Sequence, residues 1–344
     1  MSPLEETSKG SALPAYEPSS ISRAMDDAKA LREATSGFRT DKKALIRIIP
    51  AVSLDSQQMA LLQQTYTQLY HRDLEEDIRG HIPSFFKDAI LGMINGPTWS
   101  DVERLRHLFL EEREDMTNFV LCQIIFYRTQ AKLEALKEMY AQKCSESLIE
   151  CVKWLVKHRC WGSTAQLTGQ LLIKYLETVR CEDGTDALDA QSIRVDAQLL
   201  HQGIWRKGEE MDYVLDILAR SSRERLTALM DEFEAIYAIS LVDYIEKKIT
   251  GALQLTLRWL LSWAEDPIQY SRDCLIQLWP INNRANNIRA INHTMVWAHW
   301  NRTLFEAGKM RLRYTRCNLR KELERGLFDD SYRELMFKIC DGNY

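Results

Sequence analysis

A chain of 344 residues that is 45% hydrophobic can bury a sizeable core, and a formal net charge of −4 excludes a broadly basic protein that coats nucleic acid. Glycine and proline are scarce, at 14 and 8, and alternating strand-like runs are few, so the class expected is all-α. The longest apolar run, Leu253 to Ala264, carries Gln254 and Arg258 and is too short to span a bilayer.

In chain order, residues 1–20 are polar and rich in Pro, Ser and Glu, and read as a flexible tail rather than a secretory leader. Helical pattern starts near Ile21 and runs to Ile94, where Asn95-Gly96-Pro97 is a stop signal. Ser100 offers an N-cap for a helix from Asp101 to Leu110, and this second block continues to about Thr178. Cys181 to Gln191, with Glu182-Asp183-Gly184-Thr185-Asp186, reads as a surface linker. A third block covers Ser192 to Ala264, Asp266-Pro267 interrupts it, and a fourth runs from Tyr270 to the end. The units expected are therefore a tail (1–20), four helical blocks (21–97, 98–178, 192–266 and 267–344) and a linker (179–191).

The blocks share a core. Met59, Leu62, Tyr66 and Leu74 recur at the same spacing as Leu133, Leu136, Tyr140 and Leu148, and again as Leu226, Leu229, Phe233 and Leu241. Repeats bury such faces on one another, and a period this long requires several helices per unit. Block four repeats the pattern poorly around Phe305. Its end, however, places Tyr332, Leu335, Met336, Phe337 and Ile339 at the spacing of Phe86, Ala89, Ile90, Leu91 and Met93, which implies the same final helix.

The repeats resemble those of the annexin family. Gly37-Phe38-Arg39-Thr40-Asp41 is similar to the family's G-x-G-T-D loop, and Tyr70-His71-Arg72-Asp73-Leu74-Glu75-Glu76-Asp77-Ile78 to its Y-G-x-D-L-E-x-D-L segment. Asp196-Ala197-Gln198-Leu199-Leu200 resembles the D-A-x-x-L that opens the third repeat, and Tyr332 to Gly342 resembles the terminal segment. The resemblance implies four repeats of five helices each, wound into a curved disc. It further implies a convex face that meets acidic phospholipid through bound calcium.

Calcium wants six to eight oxygen ligands, and the family supplies them from a glycine-rich turn and a distal carboxylate. The nearest matches are Gly37, Thr40 and Asp88 in block one and Gly208 and Glu209 in block three. No block keeps a full set. Arg39 replaces the second loop glycine, and Lys87 stands just after Phe86, where the resemblance places the distal acid. Glu112 to Met116 has no glycine and reads as a solvated acidic helix start, with cation attraction as the alternative. Gln254 stands for the distal acid of block three. In block four Trp279-Pro280-Ile281-Asn282-Asn283 replaces the glycine turn, and Ser331 lies near the expected acid.

Two readings follow. In the first, Arg39 and Lys87 contact lipid phosphate directly, with Lys207 and the basic stretch Lys309, Arg311, Arg313 and Arg316 as further membrane contacts. In the second, these are ordinary solvated charges and the disc serves as a protein-interaction scaffold without lipid binding. The expected character is a cytoplasmic protein that binds acidic phospholipid membranes peripherally, with calcium weakly held and no organic cofactor. A protein partner is expected through the tail; nucleic acid is not. No G-x-S-x-G, P-loop or H-E-x-x-H occurs, so an enzyme is not expected. The eight cysteines form no CxxC pair and read as reduced, buried small hydrophobes. Cys151, His158 and Cys160 have no standard zinc spacing. His293 and His299, six apart, fall on different helical faces. Trp154, Trp161, Trp259, Trp263, Trp297 and Trp300 are expected in the core, and Trp279 is the one weighed as a lipid anchor.

Overall fold

Short capping residues fix where many of the helices begin. Asp55 accepts from the backbone N–H groups of Gln57 and Gln58, Asp73 from Glu76, Ser222 from Arg225, Ser240 from Asp243, and Asp329 from Tyr332. Asp266 caps the next helix, and Pro267 sits in its first turn, where its missing N–H costs nothing. The computed structural model describes residues 17–36, 41–82, 84–110, 117–159, 163–181, 184, 188–206, 208–279, 281, 285–315 and 317–343. Among these residues there is no strand.

The helices fall into four sets of five. The first is α1 (Pro18–Ser36), α2 (Lys42–Val52), α3 (Ser56–Tyr70), α4 (Leu74–His81) and α5 (Ser84–Asn95). The second is α6 (Pro97–Leu110), α7 (Thr117–Ile125), α8 (Gln130–Cys144), α9 (Leu148–Arg159) and α10 (Ser163–Glu177). The third is α11 (Ala190–Arg206), α12 (Glu210–Arg220), α13 (Arg223–Tyr237), α14 (Leu241–Lys248) and α15 (Ala252–Glu265). The last is α16 (Pro267–Ile276), α17 (Ala285–Trp300), α18 (Arg302–Leu312), α19 (Leu319–Gly326) and α20 (Asp330–Asp341), with a 3-10 turn at Arg313–Thr315. Ser100 lies inside α6 rather than at its start, because Pro97 already opens the helix directly after Gly96, which sits at φ 88°. Helix α11 likewise begins at Ala190, inside the stretch expected as linker.

The shared grid occupies equivalent places. Met59, Leu62 and Tyr66 lie on α3, their counterparts on α8 and α13, and Leu74, Leu148 and Leu241 open the following helix; all are buried. Each of α3, α8 and α13 closes on a left-handed residue whose N–H returns to a carbonyl four residues back: His71 to Thr67, Ser145 to Ala141 and Ala238 to Glu234. The polar part of the grid varies. Asp77, three past Leu74, is buried and accepts from Arg72, Arg32 and Tyr66. The second repeat puts Cys151 there, taking a hydrogen bond from Tyr140, and the third puts Tyr244, stacked on His201.

Pairing of the repeats does not follow chain order. One hydrophobic core draws on the second and third repeats, from Val102 to Ala264. The other joins the first and last, so that Leu45, Phe86 and Ile90 share a core with Leu323, Leu335 and Met336. Helix α17 stitches the two modules together. Asn292 donates to the Phe85 carbonyl (2.8 Å) and accepts from Tyr332, while His293 meets Asp101 at 2.7 Å. His299 meets Ser53 at 2.9 Å, so the two histidines do use different faces of the helix.

Candidate membrane edge and inter-module cavity

In the third repeat the turn between α11 and α12 and the turn between α14 and α15 meet at one end of the bundle. Trp205, at the end of α11, is 62% exposed, and the Lys248 ammonium at the end of α14 lies 3.9 Å from its ring centroid. Gly208 and Gly251 turn the chain at φ 63° and 77°, a region that side chains resist. Tyr213 and Leu255, in the first turns of α12 and α15, are 62% and 57% exposed. Arg258 pairs with Glu246 (3.4 Å), and Gln254 donates to the Glu246 carbonyl (3.2 Å). Gly251 also approaches Thr164, at the start of α10 in the second repeat.

A cavity of about 280 Å³ opens where α4 and α5 meet α6 and α17, at the junction of the two modules. Arg79, Lys87, Arg104, Arg106 and Arg289 line it, with two carboxylates, Asp88 and Glu103. Partial desolvation raises the Asp88 carboxyl above its ordinary range, against the opposing pull of Lys87. Trp99 forms one wall, with Arg79 at 5.5 Å and Lys143 at 4.2 Å from its ring. Beneath it, buried His293 is held down to about 3, first by desolvation and then by Arg104 and Arg128.

With this geometry in place, comparison with known proteins is informative. The Annexin family model matches residues 26–93 and 195–260. Annexin C1 of Cryptococcus neoformans var. grubii is 26% identical over 322 residues, covering 92% of this chain. This chain spans 65% of that relative's length. Dog annexin A13 is 27% identical over 250 residues, covering 72% of this chain and 75% of its own. Annexin III superposes with a TM-score of 0.76 at 20% identity over 96% of both chains. A calcium-bound annexin (Sm)1 gives 0.73 at 16% identity, over 96% of this chain and 93% of that one. The chain is annexin-like in two sequence segments and in fold.

The site residues expected of an annexin are dispersed. Gly37, Arg39, Thr40, Lys207 and Arg316 lie outside the described residues, as do Glu112 to Met116, Cys160 and Trp161. Lys87 and Asp88 sit in the inter-module cavity, in company with arginines from α4, α6 and α17. Gly208 and Glu209 are exposed at the Trp205 end of the third repeat. Lys309 is tied to Glu306 (2.9 Å) and the Cys340 carbonyl (2.5 Å), and Arg311 to Asp266, whereas Arg313 is exposed. Among the described residues no group of three or more His, Cys, Asp or Glu is placed to hold a metal ion.

Tryptophan placement departs from expectation. Trp279 is half-buried and packs against the core of the first and last repeats, because the chain on either side, Leu278 and Ile281, is buried. Trp154 is exposed and stacks on His158. Trp205 carries the most exposed indole described, and sequence reasoning passed over it; the signal available was its place two residues before the loop of Lys207 and Gly208. The seven described cysteines are free thiols, and burial pushes Cys122 and Cys274 up to about 12, as inert core groups.

Proposed function

We propose that this annexin-like protein binds acidic phospholipid membranes peripherally, and that its calcium dependence is weak. The observation that carries the reading is the Trp205–Lys248 pair at the turn end of the third repeat. An indole at an interface buries its apolar body while a neighbouring ammonium reaches the phosphate level, and Tyr213 and Leu255 extend the apolar area. Binding of this kind needs no transmembrane segment, and no described helix is long and apolar enough to be one.

Weak calcium dependence is supported by the donor chemistry. Gln254, at the position matched to the distal acid of the third repeat, spends its amide on the Glu246 carbonyl. Its neutral oxygen is a poorer ligand than a bidentate carboxylate. Arg39, Lys207, Arg313 and Arg316 remain candidate phosphate contacts in this reading, with Gly37, Thr40, Gly208 and Glu209 as remnants of calcium loops. The site is tested with phosphatidylserine vesicles. Trp205→Ala is expected to weaken cosedimentation about tenfold, the value of one large apolar contact. Unchanged cosedimentation would place the membrane edge elsewhere.

A further inference from the structure

The inter-module cavity gathers five cationic side chains, and its chemistry differs from that of the membrane edge. Five permanent cations face two carboxylates there, in a chain whose net charge is −4. Part of this charge is already compensated: Glu103 pairs with Arg106 (3.1 Å) and Lys143 (3.5 Å), and Arg79 pairs with Glu75. The arginines come from three repeats, Arg79 from the first, Arg104 and Arg106 from the second and Arg289 from the last, so only the assembled disc creates the cluster.

Aromatic faces brace part of the cluster and hold its guanidinium groups in place. Arg79 lies 5.5 Å over Trp99, and Arg289 lies 5.9 Å over Phe85. A guanidinium presents a planar fork that matches phosphate oxygens, and several on rigid helices cost little to organise. The volume of about 280 Å³ equals roughly nine waters at about 30 Å³ each, ample for linked phosphates.

We infer that the cavity lined by Arg79, Lys87, Arg104, Arg106 and Arg289 binds a small molecule bearing clustered phosphate groups. Focused positive potential draws such an anion in, and the arginine forks hold it across the seam between modules. Occupancy therefore ties the two modules together. The free compound in solution and the phosphorylated headgroup of an inositol lipid share this chemistry, and the test separates them.

Isothermal titration of the full chain with inorganic tripolyphosphate at low salt is the direct experiment, beside a thermal melt with and without it. Binding is expected, together with a raised Tm and affinity that falls with added salt. Lys87→Ala combined with Arg289→Ala, both at half-buried positions, is expected to weaken affinity about tenfold or more while leaving the helical circular dichroism unchanged. Arg325→Ala, an exposed arginine on α19 outside the cavity, should leave it unaltered. Absence of binding, equal binding of citrate, or full affinity in the double variant would each overturn the assignment. Vesicles carrying a bisphosphorylated inositol lipid identify the source. If only these bind, and the double variant loses them, the phosphates belong to a headgroup; if tripolyphosphate binds and they do not, the ligand is soluble. Plain phosphatidylserine vesicles report on the membrane edge separately, and the double variant should still sediment with them.

Discussion

Ala238 ends α13 at φ 52°, a conformation that places its Cβ against the following carbonyl. Ala238→Gly removes that strain, and chemical denaturation should show a gain of about 0.5–1 kcal/mol; a loss would mean that the methyl packs more favourably than the backbone suffers. Asp77 makes the opposite case. It is 1% exposed and gathers Arg72, Arg32 and the Tyr66 hydroxyl. Asp77→Asn leaves those cations without their counter-charge, and a loss of about 3 kcal/mol is expected in the same assay. Hydrogen bonding from Arg72 holds the Asp77 carboxyl below its ordinary range, so its contribution is present above pH 4 or so and disappears as pH falls through the lowered value. Neither role was legible in the sequence. The apolar grid announces itself by spacing, but at the position of Asp77 the second and third repeats use Cys151 and Tyr244, and no shared letter marks a shared job.

Helix α18 shows why the last repeat was the hardest to read. Its grid is Phe305, Gly308, Leu312 and Leu319, with glycine in the place that leucine holds elsewhere. The glycine is there because α16 crosses so close: a Cβ on Gly308 would stand 2.5 Å from the Ser271 hydroxyl and 3.0 Å from the Arg272 nitrogen. Restoring the pattern with Gly308→Leu should therefore destabilise the protein by about 1–3 kcal/mol, measurable as a lowered Tm. A stabilised variant would show that the crossing can widen. Helix α17 carries two of the groups that respond to acid. Desolvation depresses His293 to about 3 and His299 to about 4, with Arg104 and Arg128 opposing the charge on the first and Arg302 on the second. Both folded values lie below the ordinary histidine range, so the stability they represent is complete above about pH 6.5 and is lost progressively as pH drops towards 4. Melts at pH 7 and pH 5 should show a lower Tm in acid, and His293→Gln with His299→Gln should flatten the difference. An unchanged slope in that double variant would assign the acid response to other groups.

At the scale of the whole molecule, the sequence carried the architecture further than it carried the sites. Long-period recurrence of Leu62, Leu136 and Leu229 marked three of the helical units, and the likeness of Tyr332–Ile339 to Phe86–Met93 marked the fourth, because buried positions at helical spacing are a local property. Which units share a core was not legible: the union of first with last and second with third depends on contacts hundreds of residues apart, such as Lys42 with Asp329. The inter-module cavity was hidden for the same reason, since Arg79, Arg104 and Arg289 belong to three distant segments. Lys87, at the position of the distal acid, was read as a lipid-phosphate contact, yet it lines the cavity with these arginines, which only the packing of α5 on α6 and α17 reveals.

The central claim is that this annexin-like protein reaches acidic lipid chiefly through side chains of its own, Trp205 and Lys248 foremost, with calcium in a minor role. Cosedimentation with phosphatidylserine vesicles, measured in EGTA and across a calcium titration, tests it most directly. The account predicts substantial binding in EGTA that calcium strengthens only modestly. Binding absent in EGTA and fully switched on by calcium would contradict it.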